Sequence, residues 1–457
     1  MDYSAANTQL WNFIIQLGII AGSILLANFL RRNLSFIRKS LMPVAVLAGF
    51  LLLILKLTGL VKLDANLMEM LVYHGIALGF IAMSLRVPEG KQAGGDMVSL
   101  KSGAVVVSTY MVQGVTGLLI TLLLAYTIKP DLFKAAGLLL PMGYGQGPGQ
   151  ANNVGSTYEA LGFAGGRSFG LAIAAAGYLV ACIVGVIILN VLAKKGKVGG
   201  ARKDSAEDHP VDFFQGKDEI PVSDSIDKLS IQIAMVAVVY LITFLAAWGI
   251  TSGIAALSPG LAATLNTLIW GFNFIIGAAI AMLLRALLEK GRKAKLIRRQ
   301  YQNNYLLNRI SGFFFDIMIV AGIASINLED IRALWLPFLL LAAAGGVVTW
   351  FHLRFVCRKL YKDYYYEGLL SMFGMMTGTI SSGVLLLREI DPDLKTPASN
   401  NLITASSFGI ILGAPVLVLV GLAPKSELLC WITVGLAAAY LVVLDLIILK
   451  LHRRKKK

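Results

Sequence analysis

Apolar residues run through this chain in blocks long enough to cross a lipid bilayer, and what separates the blocks is short, polar and basic. The pattern predicts spans at 8–30, 41–60, 66–86, 101–128 and 166–193, then at 228–250, 262–289, 305–326, 332–357, 400–423 and 427–451. A spanning helix needs roughly 20 predominantly apolar residues. Two segments, 132–164 and 367–398, break the pattern. They are apolar at their flanks but carry polar, glycine-rich centres: Gly143 to Glu159 in the first, and Gly374 to Gly383, running on to Asp393, in the second. Lipid leaves no unpaired backbone group satisfied, so a non-helical stretch at membrane depth must be buried in protein or line a cavity. Paired interruptions at matching places in two halves point to a transport site at a repeat interface. The long hydrophilic stretch at 194–227, rich in Lys, Asp, Glu and Pro, divides the halves.

Charge fixes an expected orientation. With the N-terminus outside and each broken segment returning to its own side, the loops at 31–40, 86–101, 194–227, 290–304 and 358–366 and the C-terminal tail all face the cytoplasm. These hold Arg31, Arg32, Lys194, Lys195, Lys290, Arg292 and most of the other basic loop residues. The opposite loops hold few: Lys62, Lys129, Lys134, Arg332 and Lys425. Cytoplasmic loops collect Lys and Arg, so both broken segments are expected to be re-entrant. Each half then has five spans and one re-entrant hairpin. Five is odd, so the second half is inverted relative to the first, and the helix at 427–451 falls outside the repeat. A weak echo between 70–85 and 313–328, with Gly79 and Gly322 in register, agrees. The expected organisation is a first repeat at 1–193, a cytoplasmic linker at 194–227, a second repeat at 228–423, and an extra helix with a basic tail at 427–457.

Composition supports the membrane class. The chain is 57% hydrophobic and 15% charged over 457 residues, with a mean hydropathy of +0.73; a soluble domain carries about 25% charged residues. The net charge of +15 sits in loops and tail, and no nucleic-acid-binding motif accompanies it, so nucleic acid is not an expected partner. Cys182, Cys357 and Cys430 stand singly in apolar runs, with neither metal spacing nor a disulfide framework. The start, Met1-Asp2-Tyr3-Ser4, has no basic leader, and the first apolar run reads as a retained helix.

The two broken segments carry the candidate chemistry. Pro141 and Pro148 remove amide donors, and the glycines between 143 and 155 allow tight turns. Helix ends at such a tip present free amides suited to an anion. Gln150, Asn152, Asn153, Ser156 and Thr157 add neutral donors and acceptors, and unwound carbonyls offer oxygen to a sodium ion. The second tip has Thr377, Thr379, Ser381 and Ser382 beside Gly374, Gly378 and Gly383. Arg388 follows, suited either to pairing bidentately with a substrate carboxylate or to a structural pair with Asp or a cytoplasmic anchor. Among ionisable residues inside spans, which are functional candidates by default, Asp316 stands out as a partner for a cation or a substrate ammonium. A paired carboxylate near a helix start is the structural alternative. His74 reads as a packed helix residue, Asp445 as lying outside the mechanism, and Asn400-Asn401 as an echo of Asn152-Asn153 or a helix cap. No zinc-ligand set, Ser–His pairing or carboxylate dyad is legible, so an enzyme is not expected.

With these residues in view, the chain from about 10 to 423 resembles the glutamate:sodium symporter family. Gly147-Pro-Gly-Gln-Ala-Asn-Asn-Val-Gly-Ser-Thr-Tyr-Glu159 is similar to that family's first hairpin signature, and Gly374 to Pro392 is collinear with its second hairpin. Arg31 to Pro43 and Arg309 to Asp316 are also similar. The departures fall at the first tip, where Pro148, Gln150, Val154, Asn152 and Asn153 replace the usual residues. The resemblance implies an all-α polytopic fold with an elevator-type mechanism. A scaffold of the first two spans of each half would hold a homodimer together, and a core of about 66–193 and 305–423 would move across the membrane. It implies sodium-coupled symport of L-glutamate or a similar acidic amino acid in a bacterial inner membrane, with sodium as coupling ion and no cofactor. Substrate would meet Gly149, Gln150, Asn152, Thr157, Thr379, Ser381, Ser382, Arg388 and Asp316. Sodium would meet Asn153, Gly155, Thr377, Gly378 and Asn401. A proton- or sodium-coupled di- or tricarboxylate carrier and an ion channel are the other functions such a chain could serve.

Overall fold

The computed structural model describes residues 3–4, 7–87, 95–198, 222–257, 266, 269–271, 273–296, 301–391 and 396–450. Every regular element among them is helical, and the protein is an all-α polytopic integral membrane protein. We number the principal helices α1 (Thr8–Asn33), α2 (Val44–Leu57), α3 (Ala65–Leu85), α4 (Gly95–Thr127), α5 (Pro148–Ala160), α6 (Gly166–Leu179) and α7 (Val222–Leu257). They continue with α8 (Asn273–Lys293), α9 (Asn304–Ser325), α10 (Trp335–Leu360), α11 (Tyr365–Thr377), α12 (Ile380–Arg388), α13 (Ala398–Leu412), α14 (Ala414–Leu422) and α15 (Glu427–Lys450). Through a π-helical turn at Val180–Val184, α6 runs on to Lys194.

Eight stretches among the described residues are long and apolar enough to span: Leu10–Asn33, Ala65–Leu85, Met97–Thr127, Gly166–Lys194, Leu229–Leu257, Asn304–Ser325, Trp335–Leu360 and Glu427–Leu449. The span expected at 400–423 is instead a pair of helices bent by 54° between Ile410 and Ala414; Pro415, early in α14, has no amide to continue the helix. The span expected at 41–60 is shorter. Its regular part, α2, has 14 residues and rises only about 21 Å. The start of the 262–289 span, most of the 194–227 linker, Pro392 and Asp393, and the tail from residue 451 lie outside the described residues.

Local chemistry sets the helix ends. Asn7 Oδ1 accepts from the Leu10 amide at 3.1 Å and begins α1. Asp64 does the same for α3 through Leu67, and Asn303 for α9 through Leu306. Each satisfies one of the amides a helix start leaves open. Arg31 and Arg32 close α1, Lys290, Arg292 and Lys293 close α8, and Arg358 and Lys359 close α10, where the helix dipole favours cations.

The chain divides into two compact units. The first comprises Met1–Val72, Gln92–Ala201 and Met318–Lys457; the second comprises Tyr73–Lys91 and Arg202–Ile317. The second unit is built on Ile81, Ala82, Leu85, Val236, Val239, Ala281, Leu307 and Ile310. Arg285 donates to the carbonyls of Ser84 and Arg86 at the end of α3. His74 Nδ1 lies 2.6 Å from the Tyr240 hydroxyl, a packed polar contact of the kind expected of it. The first unit holds both broken segments, α1, α2, α4, α6, α10 and α15.

Gly79 and Gly322, the pair in register in the sequence echo, are both close-contact positions. A Cβ on Gly79 would lie 2.4 Å from the Phe315 ring, and one on Gly322 would lie 3.1 Å from Pro148 Cβ.

Candidate functional site

Both broken segments are hairpins. In the first, a 3-10 stretch at Lys134–Leu138 and a π-helical turn at Pro141–Gly145 lead to Gln146 and Gly147, and α5 leads back. Phe133 at the entry stacks on Phe163 at the exit with ring centroids 5.1 Å apart, and meets Tyr158 at 5.2 Å. A crossing segment would hold its ends about 30 Å apart. The turn itself depends on Gly147, whose φ of +85° lies in the region that residues with a Cβ rarely occupy. In the second, α11 and α12 pack antiparallel. A Cβ on Gly374 would lie 2.8 Å from the Ser382 carbonyl oxygen, and one on Gly383 would lie 2.5 Å from that of Ser371. Beyond the far ends of the arms, Asn401 donates to the Tyr364 hydroxyl at 2.7 Å.

The two tips meet. The Cβ position of Gly147 is 3.8 Å from Thr379 Cγ2 and 3.9 Å from the Tyr178 hydroxyl. Around the contact, α6 touches both hairpins: a Cβ on Gly177 would stand 2.3 Å from the Thr377 carbonyl oxygen and 3.1 Å from the Tyr144 ring. From α4, Gln113 donates to the Met376 carbonyl at 3.0 Å and to Thr349 of α10 at 2.8 Å.

What converges here is chemically specific. Both return arms, α5 and α12, begin at the contact, so two sets of free first-turn amides and two positive dipole ends face it. Both entry arms end there, at Gly145 and Thr377, bringing carbonyl oxygens and negative ends. Within one turn of the contact, Gln150 is 1% exposed and Ser382 3%. Both polar atoms of the Gln150 amide, Asn152 Oδ1, Thr379 Oγ1, Ser382 Oγ and Gln113 Oε1 are buried without a hydrogen-bond partner. An unpaired buried polar atom costs about 1–3 kcal/mol, and proteins rarely keep several in one place for structural reasons.

The expected site residues divide. Gly149, Gln150, Asn152, Asn153, Thr377, Gly378, Thr379 and Ser382 come together at or next to the tips. Thr377, however, spends its hydroxyl on the Phe373 carbonyl at 2.7 Å, leaving its own carbonyl for the site. Others are not brought there. Thr157 donates to Asn153 O within α5, nine residues past the start of the helix, which is about 13 Å along it. Gly155 is a packing position: a Cβ there would meet the Gly166 carbonyl oxygen and Arg167 Cα at 2.6 Å. Asn401 is engaged with Tyr364 at the opposite end of the second hairpin. Ser381 points outward and is exposed, and Arg388 is exposed at the last turn of α12. Ser156 contacts Glu69 instead, at 3.3 Å. Asp316 is an exposed mid-helix residue of α9 in the second unit, a compact unit by itself.

Sequence reasoning missed Gln113, Thr349 and a Ser–His pairing that does exist. Ser108 Oγ lies 2.9 Å from His352 Nε2, which is 3.9 Å from Asp445 Oδ1. His352 and Asp445 are ionisable residues in apolar runs, and that is the signal the sequence offers. A scan against protein-family models and a search of curated proteins both find no match for this chain.

Proposed function

We propose that this protein is a sodium-coupled secondary active transporter for a small carboxylate, an acidic amino acid such as L-glutamate, working in the manner of the glutamate:sodium symporters it resembles. The observation that carries the reading is the contact of Gly147 with Thr379: two hairpin tips joined inside a membrane protein, each the start of a helix, among buried amides and hydroxyls that have no protein partner. Carboxylate oxygens would accept from the first-turn amides of α5 and α12, from Gln150 and from Ser382. No charged side chain stands among the tip residues, so substrate charge would be met by dipole ends and by sodium. Sodium, a hard cation, would take oxygens from the carbonyl ends at Gly145 and Thr377 and from Asn152 or Asn153. Coupling follows if the tips close when both solutes or neither is bound, and stay open with sodium alone. Movement of a core against a scaffold, and a dimer to carry the scaffold, are parts of this reading that the family resemblance supplies.

Uptake of labelled L-glutamate into proteoliposomes, with and without an inward sodium gradient, tests it. Sodium-dependent accumulation above the outside concentration is expected and would exclude a channel. No uptake in either condition, from protein that sodium stabilises against heat, would reject glutamate; malate or citrate uptake would then identify a dicarboxylate or tricarboxylate carrier.

A further inference from the structure

The tips are not the only polar cluster inside the membrane part of the first unit. One turn along α10 from Thr349 stands His352, and its Nε2 faces two oxygens: Ser108 Oγ of α4 at 2.9 Å and Asp445 Oδ1 of α15 at 3.9 Å. Asp445 Oδ1 is buried and has no hydrogen-bond partner. The helix that carries it is no loose appendage. At one end of α15, Glu427 pairs with Lys134 and accepts from Tyr126. At the other, the buried Lys101 donates to the Ile448 carbonyl at 3.1 Å.

Other titratable groups on the helices packed around the cluster are occupied or face elsewhere. Lys101 is committed to Ile448, Tyr440 donates to the Leu412 carbonyl, and Glu427 is taken up at the far end of α15. Tyr110 of α4 is half-buried, Cys357 of α10 and Tyr178 of α6 are buried, and Arg354, Arg358 and Lys359 are exposed. Tyr365, Tyr366 and Glu367 stand at the first turn of α11, Arg167 at the first turn of α6, and Glu329 and Asp330 precede α10. No Asp, Glu, His, Lys, Arg, Tyr or Cys occurs in α13 or α14.

We propose that Ser108, His352 and Asp445 bind a single proton within the membrane, and that its presence is conveyed to the second hairpin through Thr349 and Gln113. Without the proton, a neutral imidazole hydrogen-bonds Ser108, whose hydroxyl also reaches the Asp445 carboxyl group, while ring and carboxylate stay 3.9 Å apart. A proton taken from water makes the ring an imidazolium, whose Nε2–H turns from Ser108 toward Asp445, because attraction between opposite charges is strong in a medium of low dielectric. One nitrogen cannot serve both oxygens, so the cluster has two arrangements. Thr349 lies three residues before His352, on the same helix face. Its hydroxyl accepts from Gln113, whose amide also donates to the Met376 carbonyl, one residue before the hairpin turn. A shift of α10 at this turn therefore pulls on the hydrogen bond that holds the tip. The proton site stands by itself; its role in gating rests on the transport reading above.

Two measurements on the full-length protein in lipid nanodiscs test this without a substrate. In an infrared pH titration, the imidazolium ring modes of His352 are expected to appear as pH falls, together with a shift of the Asp445 carboxylate stretch. The ring signal should vanish in His352→Gln and titrate at lower pH in Asp445→Asn, which lacks the anionic partner. A titration of the ring modes identical in His352→Gln and the parent, or unmoved in Asp445→Asn, overturns the proton site. The second measurement follows labelling of an exposed tip position, Ser381→Cys, by a membrane-impermeant thiol reagent. The native cysteines are buried. Ionisation of the introduced thiol is common to all backgrounds, so the readout is the ratio of rates between the His352–Asp445 background and Asp445→Asn at each pH. Coupling predicts that this ratio changes about fivefold or more across the titration. A ratio flat with pH, alongside the expected infrared change, overturns the link to the hairpin. Failure of glutamate uptake would touch neither result.

Discussion

The two hairpins have the same plan and different surroundings. In the first, every residue of Pro141–Gly145 and of Pro148–Gly155 is buried, and backbone meets backbone along its length. A Cβ on Gly137 would lie 2.1 Å from the Gly117 carbonyl carbon of α4, and one on Gly143 would lie 2.8 Å from the Ala174 amide nitrogen of α6. In the second, α11 is buried from Gly368 to Thr377, but α12 buries only Ser382, Gly383, Leu386 and Leu387. Ser381 and Arg388 face outward. Displacing α12 exposes less than displacing α5 would, and segments with few buried contacts open at lower free energy. The comparison makes the return arm of the second hairpin the easier of the two to displace; on the transport reading proposed above, the first hairpin is the fixed wall of the site and that arm its movable door.

Substitutions that change a single heavy atom separate wall from door most sharply. Gly137→Ala forces a methyl group into the backbone of α4, which no side-chain rotation relieves, and is expected to destabilise the protein by about 3 kcal/mol or more. Ser381→Ala on the door is expected to change stability by less than about 0.5 kcal/mol. Thermal unfolding of the two variants in the same detergent is the measurement, and equal melting temperatures would remove the distinction.

Less drastic is the exchange of an unpaired polar group for an apolar one. Gln150→Met keeps most of the volume and removes two buried atoms that have no protein partner. Stability is expected to rise by about 1 kcal/mol, while sodium-dependent uptake is lost. A fall in stability would mean that Gln150 serves the fold, and the wall would then hold no binding group at that position. Ser382→Ala makes the matching test on the door with a smaller gain, since it removes one unpaired atom.

Wall and door were also unequally legible in the sequence. The first tip could be located from Pro148 and its glycines, because φ > 0 at Gly147 and backbone contact at Gly137 and Gly143 demand glycine in ways that show in composition. The second tip announced itself by hydroxyls, and there composition misled. Ser and Thr in a hydrophobic helix serve packing or their own backbone as readily as a ligand, which is what Thr377 and Thr157 do with their hydroxyls. Arg388 looked like a substrate partner because it is charged and close in sequence, but nine residues of helix carry it out of the site. Gln113, Thr349 and the Ser108–His352–Asp445 cluster needed α4, α10 and α15 to be placed side by side. No local pattern contains that information, least of all for α15, which falls outside the expected repeat.

The smallest expected effect concerns the mouths of the hairpins, which are fastened by different chemistry. The second is closed by a neutral hydrogen bond, Asn401 to Tyr364. The first is tied to α15 by an exposed ion pair, Lys134 with Glu427. The Glu427 carboxylate holds the Lys134 ammonium above its ordinary value of 10.5 by hydrogen bond and charge, with partial desolvation opposing. A raised lysine contributes stability that is fully present below the unfolded-state value and is lost as pH rises through the folded-state value. The difference in melting temperature between the parent and Lys134→Met should therefore be constant through neutral pH and shrink only in the alkaline range. Added salt should shrink it at neutral pH, because exposed charges are screened. Asn401→Leu, which breaks the neutral clamp, should shift melting by an amount that salt leaves unchanged. If the two variants respond to salt alike, the mouths are fastened by packing, and the asymmetry between wall and door begins deeper in the membrane, at the glycine contacts and the tips.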